Sequence, residues 1–420
     1  MEIIHVLRKY NPAEWGGTET AMQNLFDGLR HHAVQSVMYC PRVEKNNAVD
    51  PIAQAGYPVK FFNACVPIWG ISRQQKNDLI ANGGNLFSFD LMGSLRRERG
   101  AKVIHAHTLG RLGAIAQTVA RHRKLPFVVT VHGGAMDLPA AMRKTLSTPT
   151  GGWEWGKVFG GILKSRQLFQ RADAIVTCNG REAELLGQNF PGKRIVVQSH
   201  SVRTELYQRD YRELARREFP QIQGKQVLLS LGRIDPVKNQ GWLLDQAPEM
   251  FRRHPQALLV LVGACTDQAY GEMVKRKIRE AGLEDRVLLT GGLPPADPRL
   301  VGLFQNSRAL ILPSVSETFG LVILEAWAAG TTVMSSRTSG PSSLIQHREN
   351  GWLFDLENPR SFLECVDEAL GKPELTAQFA EAGRRVIAAK HDANVLAGRM
   401  RDLYAELTQE KYALRHSAGR

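Results

Sequence analysis

The chain has little from which to build a covalent or metal framework. Its five cysteines, Cys40, Cys65, Cys178, Cys265 and Cys365, are scattered, odd in number and never spaced C-x-x-C. That pattern argues against a disulfide scaffold or a cysteine zinc site and points to a reducing compartment. No apolar run is long enough to span a bilayer. Residues 3–7 read as a strand with no apolar signal core or cleavage site behind it, so the expected location is cytoplasmic. A G-x-G-x-x-G fingerprint is missing, and with it the indication of a nicotinamide cofactor. Helix-turn-helix, zinc-finger and RNA-binding signatures are missing too, so nucleic acid is not an expected partner.

What remains is an ordinary globular composition, 43% hydrophobic and 23% charged over 420 residues. That length is too great for one core and implies two domains. The net charge of +13 suits an anionic substrate or an anionic membrane surface. The cations fall in short clusters, Arg96, Arg97 and Arg99, then Arg121, Arg123 and Lys124, then Arg252 and Arg253. Solvated helix faces would account for each cluster equally well.

Strands and helices alternate along the first half, the pattern of a parallel sheet with crossovers. Gly16 and Gly17 stand at a strand-to-helix turn, where bare backbone can approach a phosphate or a sugar. Residues 102–107 form a strand end followed by a helix over 114–120. Residues 126–132 form a buried strand ending in His132, Gly133 and Gly134, at the edge where open α/β sheets bind ligands. The aromatic and basic stretch 151–170 reads as a core-facing amphipathic helix, with a membrane or acceptor contact as its alternative. Strands follow at 172–177 and 194–197. The charged residues 204–223 read as an inter-domain hinge. A second alternating unit opens with the strand 227–231 and runs into Gly232, Arg233 and Lys238. Arg offers a planar fork and Lys a mobile point charge, a fitting pair for a diphosphate, although an exposed basic turn would look the same. Two more strands, 258–263 and 287–292, end in glycine.

The most informative stretch is 314–330, SVSETFGLVILEAWAAG. A buried strand over 309–313 leads to Ser314, Ser316 and Thr318, residues suited to a turn and a helix N-cap. Gly320 permits close approach of a ligand, and the helix beyond it has Leu321, Leu324 and Ala328 on one face. A helix N-terminus at a strand's carboxyl end is an anion site. Glu317 and Glu325 would repel an anion but suit hydroxyl groups, since a carboxylate accepts several O–H donors. Phosphate-seeking backbone beside hydroxyl-seeking carboxylates fits a nucleotide sugar, although an E-x7-E spacing also arises by chance. The final helix, 393–407, is amphipathic, and the tail 411–420 reads as polar and disordered.

In combination, Gly16–Gly17, His132 with Gly133, Gly232–Arg233 with Lys238, and Glu317-Thr318-Phe319-Gly320 with Glu325 resemble the retaining glycosyltransferases of family 4 over nearly the whole chain. The resemblance implies a GT-B fold of the α/β class, two Rossmann-like parallel-sheet domains facing each other across a cleft. Residues 1–203 would bind the acceptor, 204–390 the nucleotide sugar, and a helix over 391–410 would cross back to the first domain. Arg233 and Lys238 would hold the diphosphate, Glu317 the sugar hydroxyls and Glu325 the ribose. Backbone at Thr318, Phe319, Gly320 and Leu321 would hold phosphate and sugar. His132 would lie beside the reaction centre, Gly16 and Gly17 would close over the donor, and Glu19 is a candidate for the acceptor. The resemblance further implies a nucleoside-diphosphate sugar as substrate, a hydroxyl acceptor (soluble or lipid-linked at an anionic membrane), retention of configuration, and neither metal nor cofactor; no D-x-D motif is evident. Where many relatives carry Pro-Asn-Gly-Val-Asp, this chain has Ser199-His200-Ser201-Val202-Arg203, which weakens analogies about the acceptor. A nucleotide-sugar epimerase and a non-catalytic nucleotide-sugar-binding protein are the competing readings.

Overall fold

The computed structural model describes residues 1–10, 16–42, 50–81, 84, 86–132 and 153–417. They form two compact units, Met1–Ser199 with Ala393–Arg420, and His200–Asp392. The glycines 133 and 134 expected to follow His132 lie outside the described residues, as do 418–420.

The first unit is built on seven strands, β1 (Glu2–Leu7), β2 (Gln35–Pro41), β3 (Val59–Phe62), β4 (Ala101–His107), β5 (Phe127–Val131), β6 (Ala174–Thr177) and β7 (Ile195–Val197). Their order is β3-β2-β1-β4-β5-β6-β7, and every pairing is parallel. The second unit has six, β8 (Gln226–Leu231), β9 (Ala257–Val262), β10 (Val287–Gly291), β11 (Ser307–Leu312), β12 (Thr332–Ser336) and β13 (Trp352–Phe354). Their order is β10-β9-β8-β11-β12-β13, again parallel throughout. Central strands covered on both faces need continuous apolar runs, and β9, Ala-Leu-Leu-Val-Leu-Val, is buried at every position. Both sheets reverse their strand order once, between β1 and β4 and between β8 and β11. The crevice at such a reversal, outside the carboxyl ends of the strands, is where a ligand fits in this architecture.

The helix Ala393–Ser417 returns to the first unit. Its Ala397, Met400, Leu403, Tyr404 and Leu407 share a core with Ile3, Leu29, Val103 and Val128. Close approach is possible because residue 28 is glycine: a Cβ there would stand 2.6 Å from Ala397 Cβ and 2.7 Å from the Ala393 carbonyl. The helix also runs further than its apolar periodicity suggests. Residues 411–417, read from the sequence as part of a disordered tail, are helical. Lys411 pairs with Asp173 at 2.7 Å and Arg415 donates to the Arg123 carbonyl at 2.9 Å, which anchors the polar extension.

The two units divide at Ser199/His200 and Asp392/Ala393, so residues 204–223 belong inside the second unit. They form the helices Glu205–Gln208 and Arg212–Glu218 and a 3-10 turn, Pro220–Ile222. Gly302 lets this segment seat on the helix Pro298–Asn306, since a Cβ at 302 would meet the Tyr211 carbonyl at 2.3 Å. Charge alone made the segment look like a linker, and its packing surface is the neighbour's glycine.

Gly28→Leu is expected to destabilise the protein by about 1–3 kcal/mol through overpacking against Ala393 and Ala397. Gly180→Ala, at a position where a Cβ meets nothing within 4 Å, should stay within about 0.5 kcal/mol of wild type. Urea unfolding of both variants checks the pair.

Candidate active site

In the second unit the functional side chains collect where the strand order reverses. β8 ends at Leu231 and the chain turns through Gly232 to Asn239. β9 ends beside it so closely that a Cβ at Gly263 would lie 1.9 Å from the Gly232 carbonyl. Asp235 builds the turn: its Oδ1 accepts from the amides of Val237 and Lys238, both at 3.0 Å, and its Oδ2 lies 3.2 Å from Arg233 Nη2. Asp235 was not singled out in the sequence. Its signal is the Asx-turn pattern, an Asp two and three residues before the amides that it holds. Arg233 remains 57% exposed at its side chain and free to swing toward an anion.

β11 ends at Leu312, and the loop after it carries Glu317. Lys238 Nζ donates to Glu317 Oε2 at 2.5 Å, with side chains 22% and 14% exposed. The cation expected to hold a diphosphate and the carboxylate expected to hold a sugar are thus partners, the two halves of an interaction that a polar ligand can share. Gly340 donates its amide to the Glu317 carbonyl at 2.9 Å. A Cβ at 340 would stand 2.4 Å from Phe319 N, which leaves only glycine there. Phe319 is buried and packs edge-on against His200, ring centroids 4.8 Å apart. Thr318 is half-buried in the same loop.

The helix that follows, Leu321–Ala329, differs from its expected form twice. Ser314, Ser316 and Thr318 do not cap it; Gly320 does, with φ of +90°, a conformation natural to glycine. Nor is it amphipathic, for eight of its nine residues are buried. Trp327 donates to the Asn350 carbonyl at 3.1 Å, and a Cβ at Gly383 would strike the Trp327 ring at 2.3 Å. Held this firmly, the helix presents the amides of Leu321 and Val322 at a fixed place, while the Ile323 amide is taken by the Gly320 carbonyl at 2.9 Å.

Glu325 sits deep on this helix, 5% exposed, and does not join the Lys238–Glu317 pair. Burial pushes its carboxyl up to about 7, against the opposing effect of a hydrogen bond from Tyr207. Burial and the Glu325 charge likewise push the Tyr207 phenol up. Tyr207 lies in the segment read as a hinge, which is why no sequence pattern linked the two.

The first unit carries the other expected residues. Gly16 precedes the helix Gly17–His31. Glu19, proposed for an acceptor, is buried and reaches back to accept the Gly16 amide at 3.1 Å, which makes it a helix-starting residue in this arrangement. His132 stands just past β5 at the end of a row of imidazoles. His132 Nε2 is 2.9 Å from His107 Nδ1, and His107 Nε2 is 3.0 Å from His5 Nδ1. His105, on the same face of β4 as His107, contacts Tyr404 Oη at 2.7 Å and Thr130 Oγ1 at 2.6 Å. Adjacent strands in register, with His5 beside His105, bring together residues a hundred positions apart.

Burial holds three of these rings neutral: it lowers His5 to about 3, lowers His105 strongly, and lowers His132 to about 4 with help from nearby Arg8. His5 Nε2 is buried with no hydrogen-bond partner. Along such a row the rings carry their protons in one sense: an Nδ1–H on His5 donates to His107, which then donates from its own Nδ1 to His132, and Nε2–H forms run the row the other way. The nitrogens of His5, His105 and His107 lie within 4.8 Å of one another, yet both nitrogens of His105 are already engaged. This set is a hydrogen-bonded core ahead of a coordination sphere.

Two measurements check these assignments. Side-chain nitrogen NMR at pH 7 should show one shared tautomer on His5, His107 and His132, Nδ1–H on all three or Nε2–H on all three; mixed tautomers would break the row. Because the folded Glu325 carboxyl is raised from about 4.5 to about 7, its contribution favours folding below pH 4.5 and is lost as pH rises through 7. Glu325→Gln should therefore match or trail wild type at pH 5 and gain relative to it by a few kcal/mol at pH 8, read from urea unfolding at each pH.

Residues 16–199 match the family described as "Glycosyl transferase 4-like domain", and residues 212–386 match "Glycosyl transferases group 1". The D-inositol 3-phosphate glycosyltransferase of Thermobispora bispora is 29% identical, over 77% of this chain and 76% of its own. The alpha-D-kanosaminyltransferase of Streptomyces kanamyceticus is 24% identical, over 78% and 83%. Among solved structures, Anabaena HepE in complex with UDP superposes with a TM-score of 0.73 at 17% identity, over 97% of this chain and 100% of that one. WaaG, a glycosyltransferase involved in lipopolysaccharide biosynthesis, gives 0.64 at 16% identity, over 96% and 99%. The chain belongs to glycosyltransferase family 4 and has the GT-B fold, an enzyme of the hexosyltransferase class.

Proposed function

We propose that the enzyme moves a hexosyl group from a nucleoside-diphosphate sugar to a hydroxyl acceptor, with retention at the anomeric carbon and without a metal. The observation that carries this reading is the Lys238–Glu317 pair at the β8/β11 reversal, backed by the Asp235 turn and the N-terminus of the helix Leu321–Ala329. When the donor arrives, Lys238 and Arg233 turn to its phosphate oxygens. Glu317, relieved of its lysine, accepts from sugar hydroxyls. Glu325, oriented by Tyr207, accepts from the ribose.

Bond cleavage leaves negative charge on the departing nucleotide, and two basic side chains with a helix end supply the fixed positive field that stabilises it. This is the task that a divalent cation performs elsewhere. In front-face attack the acceptor oxygen bonds to the anomeric carbon on the side from which the phosphate leaves, and the hydroxyl proton passes to that phosphate oxygen. His132, held neutral by burial, contributes a hydrogen bond to a sugar oxygen at pH 7 and no charge. The acceptor is a hydroxyl compound, in line with the relatives named for an inositol phosphate.

Nucleotide release from a panel of UDP-, GDP- and ADP-sugars, each with cyclitol-phosphate and lipid-linked acceptors, tests the reading. One donor should turn over, Lys238→Ala should lower kcat by roughly 10²–10³, and a chelator should leave the rate unchanged. Release that persists in Lys238→Ala would remove the donor site from this place, and strong inhibition by chelator would overturn the metal-free mechanism.

A further inference from the structure

A second concave surface lies in the first unit, well away from the residues above. It is a groove of about 1140 Å³ between the C-terminal end of the helix Gly110–His122, the start of β5, the segment before β6, and the end of the helix Ala393–Ser417. Its lining touches Phe127, the first residue of β5, whereas His132 follows the last. The groove and the histidine row thus sit at opposite edges of the sheet, about 16 Å apart along a five-residue strand. An acceptor bound here could not reach the reaction centre.

The lining is strongly basic. Arg96, Arg121, Lys124, Lys164 and Arg171 all border the groove, and none has a carboxylate partner among the described residues. The lining's carboxylate, Asp173, is already paired with Lys411 at 2.7 Å. Arg415 is likewise occupied, donating to the Arg123 carbonyl at 2.9 Å. Five uncompensated cations around one concavity repel each other and raise the free energy of the empty surface unless anions are near. The rim carries two apolar side chains turned to solvent, Ile162 at 70% and Leu414 at 64% exposure. A soluble polyanion gives such side chains nothing to bury in. The headgroup region of an anionic bilayer does, offering phosphates to the cations and acyl chains to the prongs.

We propose that this groove docks the enzyme on an anionic lipid bilayer, with phosphate headgroups among the five cations and Ile162 and Leu414 inserted at the rim. Charge complementarity and the exposed apolar rim carry the assignment, and it does not depend on the donor-site reading. Docking at this edge leaves the carboxyl ends of the strands open to water-borne donor.

The experiment is vesicle cosedimentation of the whole protein, with no donor present. Vesicles of equal parts phosphatidylglycerol and phosphatidylcholine should bind it, phosphatidylcholine alone should not, and salt should weaken binding. Arg96→Ser, Arg121→Ser and Arg171→Ser combined should lower the partition by about a hundredfold, at about fivefold for each cation. Ile162→Ser with Leu414→Ser should weaken it at unchanged charge. Thermal unfolding of each variant confirms the fold. Equal binding to both vesicle types, wild-type partition in the triple variant, or capture of inorganic polyphosphate without vesicle binding would each overturn the proposal. A failed donor panel with intact vesicle binding would remove the donor-site reading alone.

Discussion

In each unit two neighbouring parallel strands, β1 with β4 and β8 with β11, send their following connections to opposite sides. Right-handed crossovers force the chain to wind away in both directions from such a pair, so the loops at their carboxyl ends part and leave a crevice. Everything chemical in the second unit hangs on that geometry. Lys238 follows β8 and Glu317 follows β11, and they meet because the loops carrying them flank the same opening. The glycines at 263 and 340 serve the same end, since a Cβ at either would push backbone out of the crevice wall.

The enzyme separates two kinds of polar group by how deeply it buries them. Arg233, Lys238 and Glu317 keep part of their side chains in water, which lets full charges persist and exchange partners. Glu325, His5, His105 and His107 are buried and His132 is half-buried, and desolvation disfavours the charged forms of Glu325, His5, His105 and His132. Such buried groups retain direction instead of charge, for a neutral imidazole or a protonated carboxyl in a tight hydrogen bond has one acceptor end and one donor end. Tyr207 and His107 are positioning residues in this sense, fixing which way Glu325 and His132 face. The basic groove at the opposite edge of the first sheet follows a different rule, with five cations that have no carboxylate partner among the described residues.

The two parallel sheets were legible because central strands are continuous apolar runs, and the loops with ligand chemistry because Gly, Arg, Lys and Glu cluster where those runs end. The extent of the last helix was not legible: its apolar stripe fades after Leu407, and the remaining turns are held by Lys411 to Asp173 and Arg415 to Arg123. The segment 204–223 looked like a hinge because it is charged, yet it supplies Tyr207 to Glu325 and seats against Gly302.

The sequence by itself determined the α/β class, the strand ends where chemistry collects, and the identities of Arg233, Lys238, Glu317 and His132 as candidates, because these depend on local residue pattern and spacing. Only the tertiary structure decided that Lys238 and Glu317 are partners, that Glu325 is buried against Tyr207, and that His5, His107 and His132 form one hydrogen-bonded row. Those relations join residues from 25 to more than a hundred positions apart. They are set by strand register, by the depth of burial and by which backbone approaches the glycines permit, and no local propensity encodes them.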